Sequence, residues 1–321
     1  MAGFTVSDLT DYVRENADRI FTAAITQAAT LQYPGINIIA GIKNAESIMN
    51  FTNTAPFQAG GVCSFNASGS SVFSDRILTV TKLKWQDTFC PETLESKFLS
   101  TKLIAGSNYD SLPFEKLIVD QVVQNITSGM EQLVWQGDTT STGNQVLKQM
   151  DGWLKVIDAA SPVYATATAA ITTANVVAIF DDVYTKIPVA LLARPEYPLV
   201  AFCGWDTFRK LIIALKDADN FNFNVNTTEA YKTGQITLPG SGLSVVAVHG
   251  LNTIATSQTK YNDRIVCSYP QNMVYGTDLA NEYEEAKFWY SADDQNVKGS
   301  IKWKAGCQIN FGSEIVTYKN T

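Results

Sequence analysis

The sequence predicts an α+β fold, and three stretches carry that reading. Pro113 to Trp135 repeats apolar residues at helical spacing, with Phe114, Leu117, Ile118, Val122, Ile126, Met130, Leu133 and Val134 on one stripe and Glu115, Lys116, Asp120 and Gln124 off it. Val297 to Lys304 alternates by two, with Val297, Gly299, Ile301 and Trp303 on one side and Lys298, Ser300, Lys302 and Lys304 on the other. Between them, the short apolar run Leu199 to Cys203 is flanked by helical patterns, which describes a compact α/β unit.

The elements follow in order. Ser7 can cap an amphipathic helix that runs to about Leu31 and ends at Tyr33-Pro34-Gly35. From there to about Gly61, short apolar pieces alternate with Asn, Thr, Pro and Gly, the pattern of an extended arm with few contacts of its own. Cys63 to Phe73 has a Ser/Gly centre, and Arg76 to Trp85 is rich in β-branched residues. Together they predict a long β-hairpin, at best marginal alone in water, which must lie on another surface. The helix from Pro113 reaches about 36 Å at about 1.5 Å per residue, and Gly137 stands where a left-handed C-cap belongs. A second helix is expected over Ala174 to Ala190, then the strand Leu199 to Cys203, then a helix capped by Asp206 and running to Lys216. Asp293-Asp294-Gln295-Asn296 turns the chain between paired strands Glu285 to Ser291 and Val297 to Lys304.

Composition excludes more than it assigns. The chain has 321 residues, 45% hydrophobic and 17% charged, enough apolar material for one large or two ordinary domains. No apolar run is long enough to span a bilayer, and the opening MAGFTVSDLTDY lacks a signal-peptide pattern, so no membrane partner is expected. Five scattered cysteines without a CxxC pair argue for buried thiols over a disulfide framework or zinc knuckle. A single histidine, His249, leaves most metal, triad and proton-relay schemes without parts. Net charge is −7 with scattered Lys and Arg, which is not the clustered cation pattern of a protein that gathers nucleic acid.

Each candidate for chemistry has a plainer reading. Leu238 to Leu243 holds Gly-x-Gly but runs into a strand, so it reads as a turn. Asp138 with Thr139, Thr140 and Asn144 could meet calcium, yet the EF-hand spacing is absent. Glu282, Glu284 and Glu285 read as a solvated or subunit-facing patch, because alternation splits Glu284 from Glu285. No catalytic, cofactor-binding or metal-ligating residue is therefore assigned, and no cofactor is expected.

The order of arm, hairpin, long helix, α/β unit and closing antiparallel pair resembles the tailed-phage major capsid proteins of the Hong Kong 97-like fold. Specific strings share in the resemblance: Trp135-Gln136-Gly137-Asp138 followed by Met150-Asp151-Gly152-Trp153-Leu154, Trp205-Asp206-Thr207-Phe208, Thr237-Leu238-Pro239-Gly240 before Val245 to Val248, and Lys304-Ala305-Gly306-Cys307-Gln308-Ile309. The resemblance implies an N-terminal helix and arm at 1–59 and an extended loop at 60–100. It implies a peripheral domain with a spine helix at 101–151 and 283–321, and an apical domain at 152–282. It further implies a non-enzymatic shell subunit that forms pentamers and hexamers of an icosahedral head, assembled in a bacterial host's cytoplasm. Its partners would be further copies of itself, a portal, a scaffold, possible decoration proteins and packaged double-stranded DNA held only weakly. The acidic balance suits DNA pumped into a container. No proteolytic maturation of the N-terminus is expected, and no cross-link partner is assigned to Lys82 or Lys84. Subunit contacts are expected at Phe65, Ser68, Gly69, Phe73, Arg76, Lys82, Lys84 and Trp85, and Gly137, Asp138 and Gly152 are expected to form a helix cap and domain joint. Two alternatives stay open: an encapsulin-type compartment holding cargo enzymes, and an acidic hydrolase using Glu284 or Asp138.

Overall fold

A computed structural model of the chain describes residues 30–54, 57, 68–90, 114–141, 143, 146–166, 170–194, 196–218, 234–254, 259–278 and 287–320. The helix expected from Ser7 and the acidic run Glu282 to Glu285 lie outside these residues. In chain order the strands and helices are β1 (Asn37–Ala40), β2 (Ala45–Thr54), β3 (Ser70–Thr79), β4 (Thr81–Phe89), α1 (Phe114–Gln136), α2 (Trp153–Ala159), β5 (Val163–Tyr164), α3 (Val176–Thr185), α4 (Val189–Leu192), β6 (Val200–Gly204), α5 (Trp205–Ala218), β7 (Gln235–Thr237), β8 (Ser244–Val248), β9 (Ile265–Ser268), β10 (Met273–Thr277), β11 (Lys287–Ser291), β12 (Asn296–Ile309) and β13 (Val316–Tyr318).

These strands form two sheets and a ribbon. A five-stranded sheet runs β1-β10-β12-β11 with β4 also on β12, a six-stranded sheet runs β5-β13-β9-β6-β8-β7, and among the described residues β2 pairs only with β3. The spine helix α1 packs its stripe, including Val122, Ile126, Met130 and Leu133, into a core shared with Ile301, Trp303 and Leu83 of the first sheet. A second core gathers α3, α5 and the inner residues of the six-stranded sheet, including Phe180, Phe208, Leu211 and Val245. Every residue of β6 is buried, as its unbroken apolar run requires.

Several expectations are corrected. The hairpin partner of Ser70–Thr79 is Ala45–Thr54, in the stretch read as an isolated arm, paired from Ala45↔Thr79 to Thr54↔Ser70. Arg76 to Trp85 is not one hairpin strand: after Val80 the chain leaves β2 and pairs with β12 instead, from Thr81↔Ala305 to Phe89↔Val297. The extended element therefore begins well before residue 60. Nor do the sheets divide at 282/283, since β10 lies in the spine-helix sheet while the late strand β13 pairs with β9 and β5 in the other. The expected helix over Ala174 to Ala190 is split into α3 and α4, with Pro188 at the start of the second, because proline lacks the N–H that a continuous helix needs. At α5, Asp206 sits in the first turn, and the cap comes from a distant loop: Asn252 Oδ1 accepts the Trp205 N–H at 2.7 Å.

The end of α1 is also different in kind. Gly137 is absent from the left-handed residues, and its N–H still bonds the Leu133 carbonyl at 2.9 Å as a helical residue does. Glycine is needed there for proximity. A Cβ on Gly137 would fall 2.4 Å from the Met150 carbonyl oxygen, and one on Gly152 would fall 2.7 Å from the Gly137 nitrogen. The Gly152 N–H donates to the Gly137 carbonyl at 2.9 Å, so the end of α1 and the start of α2 touch backbone to backbone. Trp135 and Trp153 close over this contact edge to face, 5.1 Å between centroids.

Candidate intersubunit surface

The ribbon follows from register. Directly opposed residues share a face, so Ser47, Met49, Phe51 and Asn53 stand with Ile77, Asp75, Phe73 and Ser71 on one side, and Ile48, Asn50 and Thr52 with Arg76, Ser74 and Val72 on the other. The second side is fixed at its base to the body. Leu78 is buried against Ile42, Val80 and Val274, the Asn50 amide donates to the Asn310 carbonyl at 2.9 Å, and the Gln308 amide donates to the Ile77 carbonyl at 2.8 Å. The first side is not covered by any described part of the chain: Met49 is 76% exposed, Phe73 72%, Ile77 60% and Phe51 52%. Four large apolar side chains thus share one ribbon face that no described residue covers, more apolar area than a two-stranded ribbon ordinarily leaves in water.

The residues expected at subunit contacts divide accordingly. Phe65 lies outside the described residues, while Ser68 and Gly69 are exposed just before β3. Phe73 is central to the apolar face, and Arg76 is half-buried on the opposite one. Lys82 and Lys84 are exposed on β4. Trp85 is half-buried and packs on the α1 core, 6.4 Å from the Phe89 ring. Met49, Phe51 and Ile77 were missed, and only the register that sets them beside Phe73 reveals them. Between α1 and the sheet a cleft of about 800 Å3 is lined by Leu83, Trp85, Ile126, Met130, Leu133 and Trp303, among others.

Asp138 is a buried structural carboxylate. It accepts from the Thr140 N–H at 2.9 Å, the Thr140 hydroxyl at 2.6 Å and the Tyr261 hydroxyl at 3.0 Å, with Lys155 at 2.9 Å and Lys260 at 3.4 Å. Burial opposes its charge, but Lys155, Thr140 and Tyr261 outweigh burial and hold the carboxyl well below the usual range. Lys155 also bonds Asp151 at 2.8 Å, and Asp151 accepts from the Thr139 N–H at 2.9 Å. Lysine ammonium thus occupies the place a cation would take, and the described residues contain no group of three His, Cys, Asp or Glu able to hold a metal.

On the other side of α1, Glu131 anchors the incoming chain. Its carboxylate accepts from the Thr30 N–H at 3.2 Å and from the Thr30 hydroxyl, and the Trp135 indole donates to that hydroxyl at 2.8 Å. Burial pushes the Glu131 carboxyl up despite these bonds. His249 is exposed beside the same helix, 3.2 Å from the Ser128 hydroxyl and 3.0 Å from the Asn252 amide. Cys203, Cys267 and Cys307 are buried free thiols, and burial alone pushes Cys267 up to about 12.

No protein-family model matches the sequence, and no curated protein matches it. Solved structures do. A chain of the satellite phage P4 procapsid, which includes size determination protein, aligns over 99% of this chain and 91% of its own with a TM-score of 0.56 and 11% identity. A chain of Gordonia phage Cozz aligns over 92% and 87% with a TM-score of 0.56 and 13% identity. A chain of the capsid of Myoviridae phage XM1 aligns over 91% and 92% with a TM-score of 0.54 and 11% identity. Spine helix, ribbon and two sheets together make this chain's architecture the fold of phage capsid proteins.

Proposed function

We propose that this chain is a major capsid protein that assembles with itself into pentamers and hexamers of an icosahedral head enclosing double-stranded DNA. The observation that carries the reading is the uncovered face of Met49, Phe51, Phe73 and Ile77 on a ribbon projecting from a capsid fold. Such a ribbon has too little contact with its own body to need that face at home; another copy burying it supplies the reason. On this reading the α1 layer with the five-stranded sheet is the peripheral domain, and the six-stranded sheet with α3 and α5 is the apical domain. The head forms in the cytoplasm of a bacterial host and matures into the virion. Portal, scaffold and decoration proteins are its further partners, and the acidic chain touches packaged DNA weakly.

Purified full-length protein, run on size exclusion and imaged in negative stain, is expected to give closed shells of one diameter at megadalton size. A monomer or small oligomer under every assembly condition would overturn the reading. Particles from infected cells should hold nuclease-protected DNA; a cargo protein in its place would favour the encapsulin-type compartment.

A further inference from the structure

His249, the single histidine of the chain, stands where α1 meets the six-stranded sheet. It follows β8 directly and opens a short turn, His249–Leu251, that packs on α1 and on β6. The contacts of its ring fix the tautomer. The Trp205 backbone N–H at the start of α5 can only donate, so the atom of Asn252 that meets it at 2.7 Å is the amide oxygen. That leaves the Asn252 Nδ2 hydrogens facing the His249 ring, 3.0 Å from Nδ1. Two donors cannot make one bond, so Nδ1 presents its lone pair. The ring hydrogen is then on Nε2, where two groups of α1, the Ser128 hydroxyl at 3.2 Å and the Gln132 amide at 3.3 Å with its oxygen turned inward, can accept it. A chain of hydrogen bonds therefore runs from α1 through the neutral imidazole to Asn252, and from Asn252 to the first N–H of α5.

We infer that His249 is an acid-sensitive clasp between α1 and the N-terminus of α5, closed by the neutral imidazole and opened when the ring takes up a second proton. Imidazole is the side chain that ordinarily changes charge between about pH 5 and pH 8. The added proton goes to Nδ1, which then points an N–H at the amide hydrogens of Asn252. Asn252 can turn its oxygen toward the ring only by giving up the Trp205 N–H, so one of its two bonds is lost either way. The charged group of α1 that acts on the ring is the buried Glu131 carboxylate, while β6 and residues 250–254 carry no charge. Other ties on the same loop do not depend on the ring. The Gln136 amide donates to the Gly250 carbonyl at 2.7 Å and to the Asn252 carbonyl at 2.8 Å. Acid therefore loosens the loop and the start of α5 while the loop stays seated on α1.

The test is hydrogen exchange of the full-length protein at about pH 8 and about pH 5.5, read by mass spectrometry on peptides covering 203–209 and 249–254 and corrected for intrinsic rates. In the parent, protection of both peptides is expected to fall about fivefold in acid, the effect of one hydrogen bond. H249Q offers Asn252 an oxygen that does not titrate, so its protection should be the same at both pH values. N252D supplies a carboxylate that still accepts the Trp205 N–H and pairs with the imidazolium, so its step should reverse, with protection rising in acid. A residue that only filled space would not change the sign. E131Q should keep the parent's step. Equal protection of the parent at both pH values would overturn the inference, as would a step that survives in H249Q or fails to reverse in N252D. A step lost in E131Q would overturn it as well, because the response would then belong to Glu131.

Discussion

Phe51 and Phe73 face each other across the ribbon, ring centroids 4.7 Å apart and rings tilted by 39°, and both remain more than half exposed. An aromatic pair of this kind contributes only about 0.5–1.5 kcal/mol beyond area burial. Its larger value lies in apolar area still in contact with water, available to a partner. F51S/F73S is expected to leave the melting temperature of the unassembled protein within a few degrees of the parent and to abolish shells in negative stain. Normal shells from this variant would remove the ribbon from the assembly mechanism.

Gly137 and Gly152 give the sharpest stability prediction. An alanine at either position puts a methyl within 2.4–2.8 Å of backbone atoms that belong to the other segment or to α1 itself, so the two segments must part. Overpacking of this kind costs about 1–3 kcal/mol, and here the neighbours are backbone, so the upper end is expected. Urea denaturation of G137A and G152A reads it. A midpoint unchanged from the parent in either variant would mean the two segments are not in contact.

Asp138 and Glu131 should leave opposite marks on stability against pH. Asp138 titrates lower in the folded state than unfolded, so its contribution is present above about pH 4 and is lost as pH falls toward its folded value. D138N should therefore flatten the acid limb and, by leaving Lys155 with one fewer partner, cost about 2–3 kcal/mol near neutrality.

Glu131 titrates higher in the folded state, so the unfolded chain releases its proton first and stability falls as pH rises from about 4 through the folded value, then levels. E131Q should lack that fall. Chemical denaturation of the parent and E131Q across pH 4 to 8 compares the slopes; parallel curves would show that the carboxyl does not titrate with unfolding.

Asp278 balances two lysines from distant parts of the chain, Lys43 at 3.1 Å and Lys304 at 2.6 Å. D278A takes the paired carboxylate from the ammonium of Lys304, which is nearly fully buried, and is expected to cost about 3–5 kcal/mol. Adding K304M should recover most of it in urea melts. If the double variant is as weak as D278A, the loss is not one of buried charge.

The parts of this fold that were legible are those that write themselves locally. The α1 stripe and the alternation of β12 depend on residues three, four or two apart, and both appear where expected. β2 was not legible: Ala-Glu-Ser-Ile-Met-Asn-Phe-Thr-Asn-Thr mixes its three β-branched residues with Asn, Ser and Glu, and its strand character comes from pairing with Ser70–Thr79. Phe73 could be picked from sequence, but Met49, Phe51 and Ile77 could not, since the shared face exists only once register is set. Gly137 looked like a chain terminator because a cap is a local signal, whereas contact with Gly152 is not. Lys304 fitted the cationic period of its strand, yet its burial is set by Asp278, 26 residues away.

The passage from β3 through Val80 into β4 has a mechanical meaning. Whatever grips the ribbon pulls along a strand that continues into nine residue pairs with β12, from Thr81↔Ala305 to Phe89↔Val297. The pull runs parallel to the strands, so the ladder's hydrogen bonds are loaded together in shear and cannot be opened one at a time from an end. If a second copy holds the ribbon, as proposed above, tension on it passes straight into the sheet beneath α1, and the ribbon behaves as a tendon rooted in bone.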